Sequence, residues 1–161
     1  MLVSLKPANL RVKTCLQQAG LEFEISILPA AVRTARLAAD ALGCEVGQIA
    51  NSLIFRDQAS DQAVLVMCAG DRRVDLQKVQ FETGIELGKA DADFVRQQTG
   101  FAIGGVPPVA HTQSLRTLLD DSILRHAEIW AAAGTPESVF RMNPAQLQQI
   151  TGGEWLDIAQ A

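Results

Sequence analysis

The sequence predicts an α+β fold. Short β-branched or alternating apolar segments are interspersed with short helical segments, and no regular βαβ rhythm connects them. Capping residues and glycines punctuate the helical segments closely, so they are short. Apolar residues make up 48% of the chain and charged residues 20%, the balance of a globular protein with a core. The 161 residues suit a single domain, taken here to span 1–161.

The first helix is expected from about Pro7 to Ala19. Ala8, Val12, Cys15, Leu16 and Ala19 share one face, Pro7 needs no N–H partner in a first turn, and Gly20 is a natural stop. Phe23, Ile25 and Ile27 alternate with polar neighbours, the pattern of a half-buried strand. Thr34 caps a helix over 35–42 that Gly43 ends. Residues 49–55 and the β-branched run 64–68 are expected strands, the second fully buried. Asp75 caps a helix carrying Leu76 and Val79 and closed by Gly84. Asp91 or Asp93 opens another, with Phe94 and Val95, closed by Gly100. Residues 129–133 and 138–142 read as strands joined by a turn at 134–137. Asp120 and Asp121 mark a strand-to-helix turn. Asn143 caps a helix with Pro144 at its first position, and a last short strand lies around 155–158.

Several functional classes are disfavoured. No apolar run approaches the ~20 residues that span a bilayer, and the N-terminus lacks the basic start and apolar stretch of a signal peptide. Cys15, Cys44 and Cys68 are odd in number and widely spaced, without CxxC, which fits a reducing cytoplasm. The net charge of −4 argues against nonspecific coating of nucleic acid, although one nucleic-acid end can still make a local contact. With no tyrosine and few aromatics, a stacking platform for single strands is not expected. His111 and His126 stand alone, so no compact zinc site is expected, and neither GxSxG nor GxxxxGK[ST] nor GxGxxG occurs.

The strongest loop signal is Gly104, Gly105, Val106, Pro107 and Pro108, with His111 behind it. Glycines permit positive φ and bring bare N–H groups close to a ligand, while the prolines stiffen the exit. Such a loop can aim backbone donors at a carbonyl oxygen and at the oxyanion formed on attack. From spacing alone, a rigid turn without a ligand explains it as well.

The string from Gly100 to Pro108, GFAIGGVPP, resembles the tG[FY]xxGGxxP loop of the YbaK/prolyl-tRNA synthetase-associated domain family. The order of other segments is similar too: Thr34 and Ala35 with Ala38 and Ala39, then 49–55, 70–75, Gly134 and the Asn143-Pro144 helix start. The resemblance covers almost the whole chain, and implies a compact, curved mixed sheet, barrel-like, surrounded by short helices. It implies a freestanding editing protein that deacylates misacylated tRNA, with a small amino acid and the proline tRNA as the expected substrate. Carried over, Gly104, Gly105, Val106 and Pro108 form the GxxxP loop whose amides hold the aminoacyl carbonyl. Ala35, Ala38 and Ile49 wall the amino-acid pocket, with Pro107, His111 and Gly134 as further substrate contacts. The implied partners are the aminoacyl-tRNA 3′ end and a synthetase, with no membrane, no DNA, no metal and no organic cofactor.

One position departs from the family. Most members carry Lys in the motif K-S-L-x-F, where this chain has Asn51 before Ser52, Leu53, Ile54 and Phe55. An amide offers neutral hydrogen bonds, roughly half as strong as charge-assisted ones. Asn51 is expected to face the pocket as a neutral positioning group. Two rivals follow: a noncatalytic protein that binds charged tRNA or a synthetase, and a small-molecule ester or thioester hydrolase.

Overall fold

The computed structural model describes residues 5–29 and 32–161. Its elements follow in chain order: α1 (Pro7–Gln18), β1 (Ile25–Ile27), α2 (Ala35–Leu42), β2 (Ile49–Asp57), β3 (Ala63–Ala69), α3 (Leu76–Thr83), β4 (Leu87–Gly88), α4 (Ala92–Thr99), β5 (Arg116–Asp120), β6 (Ile129–Ala132), β7 (Ser138–Met142), α5 (Pro144–Thr151) and β8 (Glu154–Leu156). The strands form one curved mixed sheet that does not close, in the order β1-β7-β6-β2-β3-β5-β8, with β4 added beside β2. Pairing is parallel at β2–β6, β3–β5 and β5–β8 and antiparallel elsewhere.

The local signals act as their chemistry requires. Thr34 Oγ1 accepts from Leu37 N at 3.1 Å, Asp75 Oδ1 from Gln77 N and Lys78 N, and Asp91 Oδ1 from Phe94 N. Each satisfies helix N–H groups that have no intrahelical partner. Asp91 rather than Asp93 is therefore the cap of α4. Gly43, Gly84 and Gly100 take left-handed conformations that end α2, α3 and α4. Every residue of β3 is buried, because β3 is paired on both edges and covered on both faces. Burial pushes the Cys68 thiol up to about 12, with Asp120 adding to the effect, so it behaves as a core residue.

One strand, β4, has no counterpart in the sequence reading, and β5 is marked only at its end, by the strand-to-helix turn at Asp120 and Asp121. β4 has only two residues, too few for any periodicity. β5 lies before Asp121, where the sequence showed only the turn. Asp120 does make that turn, its Oδ1 accepting from Ser122 N at 2.9 Å. Its Oδ2 also accepts from Ala69 N at 3.0 Å and Ser122 Oγ at 2.7 Å, which ties β3 to β5.

Two features of this frame position the site. The first is the edge of β2. It pairs with β6 at Ile49 and Ala50 and with β4 at Arg56 and Asp57, so between those contacts one edge has no strand beside it among the described residues. Gly70 N donates to Ile49 O at 2.7 Å, which sets the alternation. Asn51 and Leu53 turn their backbone groups to β3, and Ser52 and Ile54 turn theirs to the open side. The second is Asn9, fully buried in α1. Its Nδ2 donates to Ala133 O and to Ser138 Oγ, both at 2.8 Å, and its Oδ1 accepts from Lys6 N at 3.0 Å. This side chain joins α1 to the turn between β6 and β7.

Truncating Asn9 leaves Ala133 O and Ser138 Oγ buried without that donor. Asn9→Ala is expected to cost about 2–3 kcal/mol, or about 5–10 °C in Tm for a chain of this size. Thermal unfolding followed by circular dichroism checks this. A shift of less than about 2 °C would show that the turn is held without Asn9.

Candidate functional site

A cavity of about 660 Å³ opens where the edge of β2 is uncovered. Asn51, Ser52, Leu53, Ile54 and Phe55 line it from β2, Ala35 and Ala38 from α2, Trp130 and Ala132 from β6, and Val139 from β7. Ile103, Gly104 and Val106 of the loop after α4 complete it. The size is that of a pocket for a small molecule or the end of a larger one.

Of the residues singled out from the sequence, Ala35, Ala38, Ile49, Asn51, Gly104 and Val106 line this cavity together. Gly105, Pro107, Pro108, His111 and Gly134 do not, and four of them brace the loop or the turn beside it. Gly104 holds the positive φ, at +90°, whereas Gly105 is constrained by a close approach. A β-carbon on Gly105 would stand 2.7 Å from Thr135 Cα and 3.0 Å from Gly134 O. The Gly105 amide is also occupied, donating to Ala102 O at 3.0 Å. Pro107 and Pro108 have no N–H. Within residues 104–108 two amides remain, Gly104 N and Val106 N, and neither has an acceptor among the described residues. Val106 is only 2% exposed, so its unpaired amide lies at a buried wall of the cavity, where backbone donors are seldom left without a partner.

The turn against which Gly105 rests is held from behind. Thr135 N donates to Ser138 Oγ at 3.2 Å, and the Thr135 and Ser138 hydroxyls share a 2.6 Å hydrogen bond. Ser138 Oγ is the same atom that accepts from Asn9. Gly134 has φ of +106°, and a β-carbon there would stand 2.8 Å from Ala8 O, so α1 presses directly on the turn. His111 Nε2 lies 2.7 Å from Pro107 O and donates to it, bracing the far side of the loop. Burial holds the His111 imidazole below its ordinary range, partly opposed by that hydrogen bond, so it is neutral at pH 7.

The chemistry of the lining is unusual in what it omits. No His, Cys, Asp or Glu lines the cavity among the described residues. Its hydroxyls are committed elsewhere: Thr34 caps α2, Ser52 Oγ donates to Met67 Sδ, and Ser138 holds the turn. The charged lining residues are Arg33 and Lys89, both exposed. The cavity therefore offers backbone donors, one neutral amide side chain, apolar walls and positive charge, without a protein nucleophile–base pair. Sequence reasoning missed Ser138, Trp130, Lys89, Leu28 and Val32. Only the strand pattern of 138–142 signalled any of them, by placing alternate residues on opposite faces.

A family model described as an aminoacyl-tRNA editing domain matches residues 29–150, most of the chain. The chain belongs to the aminoacyl-tRNA editing domain family. A solved structure of a candidate trans-editing enzyme for prolyl tRNA synthetase is 42% identical to this editing domain, with a TM-score of 0.92 over 98% of this chain and 100% of the other. The structure of the hypothetical protein APE2540 is 27% identical, with a TM-score of 0.84 over 93% of this chain and 99% of that one. The uncharacterized protein YwhH of Bacillus subtilis (strain 168) is 29% identical over 150 residues, 92% of this editing domain and 95% of the relative. The curved, unclosed sheet is the fold of these structural neighbours. No helix among the described residues is long and apolar enough to cross a membrane.

The His111 brace gives a pH dependence. Its folded-state pKa lies below the ordinary value, so the unfolded chain binds the extra proton first. The contribution to stability is complete above about pH 6.5 and is lost as pH falls through the lower folded value. Tm measured from pH 8 to pH 5 is expected to fall below pH 6.5, and His111→Gln to flatten that limb. Parallel profiles would show that His111 is not the group responsible.

Proposed function

We propose that this editing domain is a freestanding aminoacyl-tRNA deacylase, acting in the cytoplasm on a small amino acid wrongly esterified to the proline tRNA. The observation that carries the reading is the pair of unpartnered amides, Gly104 N and Val106 N, of residues that line a cavity with no His, Cys, Asp or Glu among the described residues. Two free N–H donors in one loop suit an ester carbonyl oxygen that gains charge on attack. Water adds to the carbonyl carbon, the bond to the ribose oxygen breaks, and that oxygen leaves with a proton. With no His, Cys, Asp or Glu in the lining among the described residues, the proton passes through water and the neighbouring ribose hydroxyl of the substrate itself. The protein's contribution is then position and fixed dipoles.

The likeness to a candidate trans-editing enzyme for prolyl tRNA synthetase supports the choice of tRNA. The apolar walls from Ile49 and Val139, with Ala35 and Ala38 on α2, suit a small aliphatic side chain and exclude a larger one by size. Exclusion by size is needed because a single methylene changes binding by only ~1–3 kcal/mol. Asn51 lines the same cavity and serves as a neutral positioning group, for an amide does not titrate in the useful range. The same residue supports a second reading, in which the domain holds charged tRNA without hydrolysing it.

Incubation with a panel of mischarged tRNAs separates the readings. Release of the amino acid from one of them is expected, and tight binding without release would favour the noncatalytic reading. Indifference to every tRNA would favour a small-molecule hydrolase. On the best substrate, Gly105→Ala is expected to lower kcat/KM about 10²-fold, since displacement of the loop from Thr135 misplaces both amides. Asn51→Ala should lower kcat while leaving Tm nearly unchanged. Full turnover by a folded Gly105→Ala protein would remove the loop from the mechanism.

A further inference from the structure

The charge at the cavity is one-sided. The chain as a whole is acidic, with a net charge of −4, yet Arg33 and Lys89 line the cavity and no carboxylate does among the described residues. Away from the cavity, Lys6, Arg56, Lys78, Arg125 and Arg141 each stand within ion-pair distance of an acid, and the other Lys and Arg residues, Arg11 and Arg116 among them, stand in no ion pair among the described residues. Arg33 and Lys89 have no such partner among the described residues, and both are exposed at the cavity rather than sunk into it. Their positions are fixed by different elements. Lys89 follows Gly88, which pairs with Arg56, so it stands level with Phe55 at the far end of the open edge of β2. Arg33 precedes the Thr34 cap of α2, which packs with Ile49 at the near end. Asn51 lies four residues from Phe55 along the strand, about 13 Å.

We propose that Lys89, with Arg33 at the other end of the opening, holds backbone phosphates of the single-stranded nucleic-acid 3′ end that carries the aminoacyl group. The inference rests on the reading of the cavity as an aminoacyl-tRNA site and adds the residues that hold the nucleic acid. An aminoacyl ester has no free carboxylate, so the anionic groups of such a ligand are its phosphates. The neutral Asn51 lies within the cavity, where the ester sits, and the positive charge lies at the mouth, where the chain of nucleotides leaves. Exposed point charges suit this task because phosphate contacts position the strand without reading its sequence.

The test uses the full chain and a tRNA whose 3′ end carries the amino acid through a nonhydrolysable amide, with binding measured from 50 to 200 mM salt. Lys89→Gln is expected to weaken binding about fivefold at the lowest salt and to make the slope of log K against log salt shallower by about 0.7, the value for one phosphate contact to a single strand. Lys89→Arg should restore both, and adding Arg33→Gln should lower the slope again by a similar amount. The same amino acid linked to adenosine without phosphate serves as the control, and the preference for the tRNA conjugate over it should shrink in Lys89→Gln. An unchanged salt slope in folded Lys89→Gln overturns the proposal, as does an equal loss of affinity for the phosphate-free conjugate or a failure of the wild-type protein to bind the tRNA conjugate. Phosphate-dependent binding through Lys89 with no release of amino acid from the ester would instead overturn deacylation and leave the phosphate contact standing.

Discussion

The buried carboxamide of Asn9 organises more of this structure than its size implies. Its two donated hydrogen bonds reach Ala133 O and Ser138 Oγ, and Ser138 Oγ in turn binds Thr135. The turn so fixed is the surface on which Gly105 rests at a distance that leaves no room for a β-carbon. With Gly105 seated and its amide given to Ala102 O, Gly104 N and Val106 N are left without protein acceptors at the cavity. A helix near the N-terminus thus sets the position of a loop some ninety residues later, through one turn. Buried polar groups with complete hydrogen bonding rigidify their surroundings in this manner.

The second constraint is the interrupted edge of β2. A continuous strand beside residues 51–55 would satisfy Ser52 and Ile54 and fill the space where the cavity opens. Because β6 stops at Ala132 and β4 is two residues long, the loop carrying Gly104 and Val106 faces this gap instead. The resulting site has dipoles, apolar surface and positive charge but no His, Cys, Asp or Glu in its lining among the described residues. Such a site suits a substrate that supplies its own hydroxyl and needs mainly to be held in place while water attacks.

Much of the frame was legible because its signals are local. Thr34, Asp75, Asp91 and Asn143 cap helices through hydrogen bonds two or three residues away, and Gly43, Gly84 and Gly100 end them through their own φ. The buried β3 announced itself by an uninterrupted apolar run. What escaped depends on distant partners. Asn9 shares the buried face of α1 with Val12 and Leu16, but a polar side chain there reads as solvent-facing until its distant partners are known. β5 is a strand because β3 and β8 flank it, and β4 because β2 has an edge to offer. At the site, the sequence pointed to the loop but did not separate the roles of its glycines: Gly104 carries the positive φ and Gly105 the close approach. Lys89 went unnoticed because its place beside the cavity comes from a pairing of two residues.

In the proposed mechanism the loop presents Gly104 N and Val106 N to the carbonyl of an aminoacyl group, while Gly105 N is held back by its bond to Ala102 O. Amide chemical shifts of the ¹⁵N-labelled protein, titrated with an amino acid joined to adenosine by a nonhydrolysable amide, test it directly. The account predicts downfield proton shifts for Gly104 and Val106, with Gly105 nearly still because its hydrogen bond to Ala102 O persists. A titration in which the ligand binds and Gly104 and Val106 do not move, or in which Gly105 moves in their place, would contradict it.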